Sequence, residues 1–302
     1  MKVSSDLNIL VLACDDRVGI VAAVSGFLAE RQCFITESQQ FADLGTGRFF
    51  MRVAFQLGGD DVNTTRHDLA ALAVRFAMAW SLTSTAEPMR IVIAVSRFGH
   101  CLNDLFYRWR AGTLPVEITA VVSNHADMRP LCDWYGVPFH HLPVGGDGPA
   151  AQEQAMLAVI TEQRAELLVL ARYMQILSAD VCTALSGRCI NIHHSFLPSF
   201  RGAKPYHQAY ARGVKLIGAT AHYVTPDLDE GPIIEQSAER VDHATSVDAM
   251  IEAGREVESI VLARAVRWAA ERRMASALPR PRQAPARFKG RAGLSKNTAI
   301  PV

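Results

Sequence analysis

The sequence predicts a two-part α/β chain, and three observations predict it. Residues 7–86 read in the order βαββαβ. From Met89 onward, short apolar runs alternate with amphipathic stretches, the pattern of a doubly wound, mainly parallel sheet. Pro88 lies between the two patterns and marks the boundary.

In the first part, residues 7–13 are an apolar strand, and Cys14 to Gly19 form a polar turn. Ile20, Val21, Val24, Phe27 and Leu28 recur at helical spacing, which predicts a helix from Ile20 to Glu30. Cys33 to Ala42 and Arg48 to Leu57 alternate in polarity and are joined by Asp43-Leu44-Gly45-Thr46-Gly47, a hairpin signal. A second amphipathic helix is predicted over Thr65 to Trp80, and a last short strand over Leu82 to Ala86. This is the ferredoxin-like arrangement.

In the second part, strands are predicted at Met89–Val95, Glu117–Ser123, Phe139–Pro143, Leu167–Ala171 and Cys189–His193. Helices are predicted at His100–Arg110, Met128–Tyr135, Ala150–Gln163 and Ala179–Leu185, with a long one over Ser246–Glu271. The stretch from Leu278 holds four Pro and six Lys or Arg and no acid, so a poorly ordered, solvated tail is expected there. The divisions expected are 1–86, 87–275 and a tail over 276–302.

The 302 residues are 49% apolar and 20% charged, the composition of an ordinary globular protein. A net charge of +1 gives no reason to expect a nucleic-acid or anionic-membrane partner. The six cysteines (Cys14, Cys33, Cys101, Cys132, Cys182, Cys189) make no C-x-x-C pair, so buried free thiols are expected and no metal site. No basic-then-apolar leader pattern and no membrane-length apolar run is read, and a cytoplasmic setting is expected.

Candidate chemistry lies in Ile190-Asn191-Ile192-His193-His194-Ser195-Phe196-Leu197-Pro198. Polar groups at the end of a buried strand sit where open α/β sheets bind ligands. Asn191 and His193 are two apart and share one side of an extended chain. An amide donor beside an imidazole can stabilise an oxyanion and move a proton. Downstream, Thr225-Pro226-Asp227-Leu228-Asp229-Glu230-Gly231-Pro232 reads as a carboxylate-bearing loop between strands. Each of these residues has an ordinary alternative use. Asn191 could cap a turn, His193 could be a satisfied core histidine, and Asp229 could be a turn residue. Ser195 has no base and orienter around it and is read as a turn residue rather than a nucleophile.

Asn-x-His with Asp-x-Asp-x-Gly resembles the folate-dependent formyl-transfer family, and the likeness extends through Ser195 to Pro198 and Gly202 to Ala209. The resemblance implies Asn191, His193 and Asp229 as the catalytic set. It also implies a folate site along Met174, Gln175, Ile176 and Leu177 and along Thr225, Pro226, Asp227 and Leu228. His194 and His222 are expected to support that set from behind.

Residues 7–86 resemble an ACT domain, with Asp16-Arg17-Val18-Gly19 at the turn where that family often binds small amino acids. Such a domain ahead of a formyl-transfer domain is similar to the arrangement of the formyltetrahydrofolate deformylase family. Leu170-Ala171-Arg172-Tyr173-Met174-Gln175-Ile176-Leu177 and Gly218-Ala219-Thr220-Ala221-His222-Tyr223 also resemble that family. The implied reaction is hydrolysis of 10-formyltetrahydrofolate to formate and tetrahydrofolate, with no permanently bound cofactor. A homo-oligomer and an amino-acid effector are implied as well.

The glycine-rich phosphate loop of the related glycinamide-ribonucleotide formyltransferases is replaced by Val95-Ser96-Arg97-Phe98-Gly99-His100. That favours water over a phosphorylated acceptor. Two other readings remain: formyl transfer to an unphosphorylated amine, and an amino-acid sensor with an inactive catalytic domain. The C-terminal stretch departs from the deformylase pattern, and only Lys296-Asn297-Thr298 resembles the usual ending.

Overall fold

Apolar residues on alternate positions of the first strands build one face against two helices. The computed structural model describes residues 7–145, 148–197 and 205–274. The chain begins β1 (Asn8–Asp15), α1 (Ile20–Glu30), β2 (Phe34–Asp43), β3 (Arg48–Gln56), α2 (Val62–Phe76) and β4 (Ala79–Ser84). These strands form a four-stranded sheet in the order β2-β3-β1-β4, with antiparallel neighbours. Leu10, Leu12 and Cys14 of β1 pack with Val24 and Leu28 of α1 and with Leu69, Ala73 and Phe76 of α2.

β1 runs on through Cys14 and Asp15, which were expected in the turn, and the second helix and last strand also differ from the sequence reading. α2 starts three residues before Thr65, because the Asp61 carboxylate accepts the backbone N–H groups of Asn63 and Thr64 at 2.7 and 3.0 Å. It stops at Phe76 rather than Trp80, because Ala77 turns left-handed at φ +50° and closes the helix. The last strand therefore begins at Ala79 and pairs with β1 through Ser84, earlier than the expected Leu82–Ala86.

The second unit runs β5 (Met89–Val95), α3 (His100–Arg110), β6 (Val116–Ser123), α4 (Arg129–Tyr135), β7 (Phe139–His141) and α5 (Gly148–Glu162). It continues β8 (Leu167–Leu170), α6 (Ala179–Ala184), β9 (Cys189–His193), α7 (Pro205–Ala211), β10 (Leu216–Tyr223), β11 (Ile233–Arg240) and α8 (Val247–Ala270). One seven-stranded sheet has the order β11-β10-β9-β8-β5-β6-β7. The five strands from β9 to β7 are parallel, and β10 and β11 return antiparallel. The all-buried β5 core and β8 are continuous apolar runs, as strands covered on both faces must be. Burying each such Leu, Ile or Val contributes roughly 1.5–3 kcal/mol. From β5 the chain moves outward to β6 and β7, then crosses to β8 and β9 on the other side. The strand order reverses between β5 and β8, and sheets of this kind bind ligands outside the carboxyl ends at that point.

Among the described residues, one compact unit comprises 7–88 with 272–274, and the other is Met89–Glu271. No described helix is long and apolar enough to cross a membrane. All six cysteines are free thiols, and all but Cys33 are buried. The expected tail over 276–302, Lys296-Asn297-Thr298, and the stretch from Pro198 to Lys204 lie outside the described residues.

Candidate active site

β9 carries Asn191 and His193 on one side of the strand, and the antiparallel β10 sets His222 directly across from Asn191 and Thr220 across from His193. Asn191 Nδ2 lies 3.2 Å from His222 Nε2. The other ring nitrogen of His222 lies 2.9 Å from the Tyr223 carbonyl, which can only accept. His222 Nδ1 therefore carries the hydrogen, and Nε2 accepts one from the Asn191 amide. Burial lowers the His222 pKa, and the neutral ring is the form this arrangement requires. One amide hydrogen of Asn191 remains for a ligand.

Asp229 enters from the loop between β10 and β11. Its own backbone is left-handed at φ +57°. Two residues later Gly231 passes against β10: a Cβ there would lie 1.7 Å from the Tyr223 carbonyl oxygen. Only glycine allows that approach, and the Tyr223 N–H bonds to the Pro232 carbonyl at 2.9 Å. The loop thereby places Asp229 Oδ2 at 3.3 Å from His193 Nδ1 and Oδ1 at 3.7 Å from His222 Nε2. The hydrogen bond from His193 holds the Asp229 carboxyl below the usual carboxylate range, outweighing burial. His193 Nε2 is buried with no protein partner.

The three residues expected to act together are thus linked through a fourth, His222. His222 lies nearer to Asn191, at 3.2 Å, than to Asp229, at 3.7 Å. His194 points elsewhere. Its ring lies 5.3 Å from that of His193 and 6.4 Å from that of Tyr206. Burial, reinforced by the Arg172 charge, pushes its pKa down to about 4. Ser195 is buried, and its carbonyl accepts from the Thr220 hydroxyl at 2.9 Å.

The two stretches expected to hold folate leave apolar side chains in solvent. Met174 is 51% exposed, Ile176 75% and Leu228 60%. Gln175 bonds back to the Met174 carbonyl, Leu177 packs partly into the core, and Pro226 and Asp227 are exposed. Thr225 Oγ1 closes the turn on the Asp227 carbonyl at 2.9 Å. Asp16, Arg17, Val18 and Gly19 belong to the first unit. Gly19 caps α1 at φ +99°, Val18 is exposed, Asp16 N–H bonds to the Gly47 carbonyl, and Arg17 reaches the Arg75 carbonyl and lies over the Phe76 ring.

Two groups of residues escaped the sequence reading. Thr220, fully buried, donates to Ser195 and accepts from Leu197 N–H and Gln236 Nε2, which ties the chain after His193 onto β10. Glu258 of α8 is buried and meets His100, Tyr206 and Arg172. His100, Cys101 and Glu258 place metal-ligand atoms within 4.8 Å of one another. The Arg172 guanidinium already supplies the positive charge beside Glu258, and burial raises the Cys101 pKa, so the donor set suits a guanidinium better than an ion. The signal that could have revealed Glu258 is an acid on the apolar face of a helix, between Val257 and Val261.

A formyl transferase family model matches residues 89–266. A formyltetrahydrofolate deformylase of Corynebacterium sp. (strain P-1) is 48% identical over 88% of this chain and 94% of its own length. The crystal structure of a formyltetrahydrofolate deformylase from Burkholderia mallei is 49% identical, with a TM-score of 0.86 over 89% of this chain and 95% of that one. A glycinamide ribonucleotide transformylase from Symbiobacterium toebii is 31% identical, with a TM-score of 0.58, and covers 62% of this chain and 90% of its own. The deformylases match both units in length and the transformylase does not, and the chain belongs to the formyl transferase family, in its formyltetrahydrofolate deformylase branch.

Proposed function

We propose that the protein hydrolyses 10-formyltetrahydrofolate to formate and tetrahydrofolate, which places it in one-carbon metabolism and in the supply of formate for purine synthesis. The observation that carries the mechanism is the run of contacts from Asn191 through His222 and Asp229 to His193 at the end of β9. The free amide hydrogen of Asn191 points a donor at the formyl oxygen, and His193 Nε2 gives a second contact. Asp229, held ionised, orients water for attack on the formyl carbon. As the tetrahedral intermediate collapses, the C–N10 bond breaks. The proton taken from water returns to N10, and formate leaves.

The low pKa of Asp229 makes it a weak base at rest. Its orienting role therefore precedes its proton transfer, which becomes favourable as the water oxygen bonds to carbon. Exposed Met174, Ile176 and Leu228 supply apolar walls for a pterin, and backbone groups of both stretches supply fixed donors and acceptors.

For the first unit, the βαββαβ order and the open turn at Asp16, Arg17, Val18 and Gly19 support an ACT domain that binds a small amino acid and joins subunits.

The test is release of formate and tetrahydrofolate without an amine acceptor, with Asp229→Asn as control. The wild type should release both, and Asp229→Asn should lose about 100- to 10000-fold in rate. Formyl loss that depends on an added amine would favour transfer instead. No formyl loss in either condition would favour the sensor reading.

A further inference from the structure

The residues around Glu258 are absent from the proposed chemistry, yet the chain breaks three local rules to assemble them. Arg172 holds φ +63°, a left-handed backbone that a long side chain rarely adopts. Gly254 sits inside α8, where glycine weakens a helix. A Cβ at Gly254 would meet Tyr206 Oη at 2.1 Å and Cζ at 2.2 Å, so the glycine makes room for that ring. Glu258 buries a carboxylate on the apolar face of the same helix at 1% exposure. Departures of this kind are retained where function requires them.

Both oxygens of Glu258 are engaged. Oε1 accepts from the Tyr206 hydroxyl at 2.9 Å, and Oε2 lies 2.7 Å from His100 Nε2 and 3.4 Å from Arg172 Nε. Burial alone would raise the Glu258 pKa, but the His100 hydrogen bond and the Arg172 charge together hold it below the usual value. Four segments meet there: the start of α3, the second residue after β8, α7 and α8.

Arg172 is where the buried strand ends and the exposed stretch begins. Ala171 N–H still bonds to the Ala94 carbonyl of β5. Two residues past Arg172, Met174 N–H bonds to Ser96 Oγ at 3.0 Å, and Ser96 in turn bonds to Asn124 Oδ1 at 2.7 Å. Between these two anchors the left-handed residue redirects the chain, so that Tyr173 is buried while Met174 and Ile176 face solvent. The Arg172 guanidinium lies over the Phe98 ring at 5.4 Å; Nε and Nη1 are buried without a hydrogen-bond partner, and the Glu258 carboxylate lies within ion-pair distance of Nε.

We propose that Arg172 is a positioning residue: its ion pair with Glu258 clamps the left-handed turn that presents Met174, Gln175, Ile176 and Leu177 to the folate. The proposal rests on reading that stretch as the folate site. A clamp of this kind acts on binding in the ground and transition states alike, so its loss raises KM and leaves kcat nearly unchanged.

The test uses the full chain in three variants: Arg172→Gly, Glu258→Gln and the neutral pair Arg172→Met with Glu258→Gln. Glycine accepts the left-handed backbone but cannot reach Glu258, which separates the clamp from the backbone conformation. The neutral pair leaves no lone buried charge and guards against a variant that fails to fold. Circular dichroism reports folding, tetrahydrofolate titration followed by intrinsic fluorescence gives Kd, and formate release gives KM and kcat.

The expected result is a rise of about tenfold in Kd and KM in folded variants, with kcat changed by less than about threefold. Wild-type KM in folded Arg172→Gly, or a fall in kcat at constant KM, would overturn the proposal. If neither Arg172→Gly nor the neutral pair folds, the cluster is a stability element and the proposal fails. If wild-type protein does not bind tetrahydrofolate, the folate reading itself fails first, which is a separate and recognisable outcome.

Discussion

Asp229 and His194 are both partly buried beside imidazoles or cations, yet the consequences are opposite. The carboxylate gains a hydrogen-bonding partner and stays charged, while the ring of His194 loses water beside Arg172 and stays neutral. His194 has a folded-state pKa of about 4 against an ordinary 6.5. Between these values the unfolded chain binds the proton and the folded chain does not. The stabilisation is therefore fully present above 6.5 and is lost as pH falls toward 4. The melting temperature should drop across that window, and His194→Gln should flatten the drop; an unchanged slope in the variant would remove His194 as its source. At this scale the sequence was legible in its alternation, which put Asn191 and His193 on one side of β9. The Asn191–His222 bond was not legible, because it depends on the register of two strands thirty-one positions apart. The contacts of Glu258 with His100 and Tyr206 depend on still longer separations, 158 and 52 positions.

The elements bring these side chains to one place by approach distances that a sequence records only as glycines. The loop after β10 is set by the left-handed Asp229 and by Gly231 pressed on the Tyr223 carbonyl. Gly231→Ala forces backbone against backbone, so the loop must shift and carry Asp229 with it. A displacement near 1 Å at a reacting group costs about 100-fold. Formate release should fall by that order in Gly231→Ala, while the melting temperature changes less than in a core truncation. Near-wild-type turnover would mean that the loop does not fix the carboxylate. Strand and helix positions followed from apolar spacing, as in the helix from His100 to Arg110, whose limits match the sequence reading. The misplaced end of α2 has a specific cause. Apolar Met78 and Trp80 continue a helical pattern, and nothing in the side chain of Ala77 announces a left-handed cap.

Across the whole molecule, the composition and the alternation of strands and helices identified an α/β chain, and the sheet has the mainly parallel order that such alternation implies. The antiparallel return of β10 and β11 is the part that alternation does not encode, since no helix precedes β11. In the first unit β2 is an edge strand that exposes Phe34 and Phe41. An apolar sheet edge of this kind invites pairing with a second copy. Sedimentation velocity should find a species heavier than the 33.1 kDa chain, and Phe34→Glu with Phe41→Glu should shift it toward that mass. A wild-type protein that sediments as a single chain would remove the ACT-type assembly from the proposal.

The pairing of β9 with β10 has a consequence for how this protein can change over evolutionary time. Asn191 faces His222 and His193 faces Thr220 because two strands are aligned residue for residue. One amino acid inserted within either strand would rotate every later side chain to the opposite face and dismantle the whole set at once. The same insertion in the turn between α7 and β10 would leave the alignment intact. Length variation among descendants should therefore accumulate in the connections, while within these two strands substitution is the only change compatible with activity.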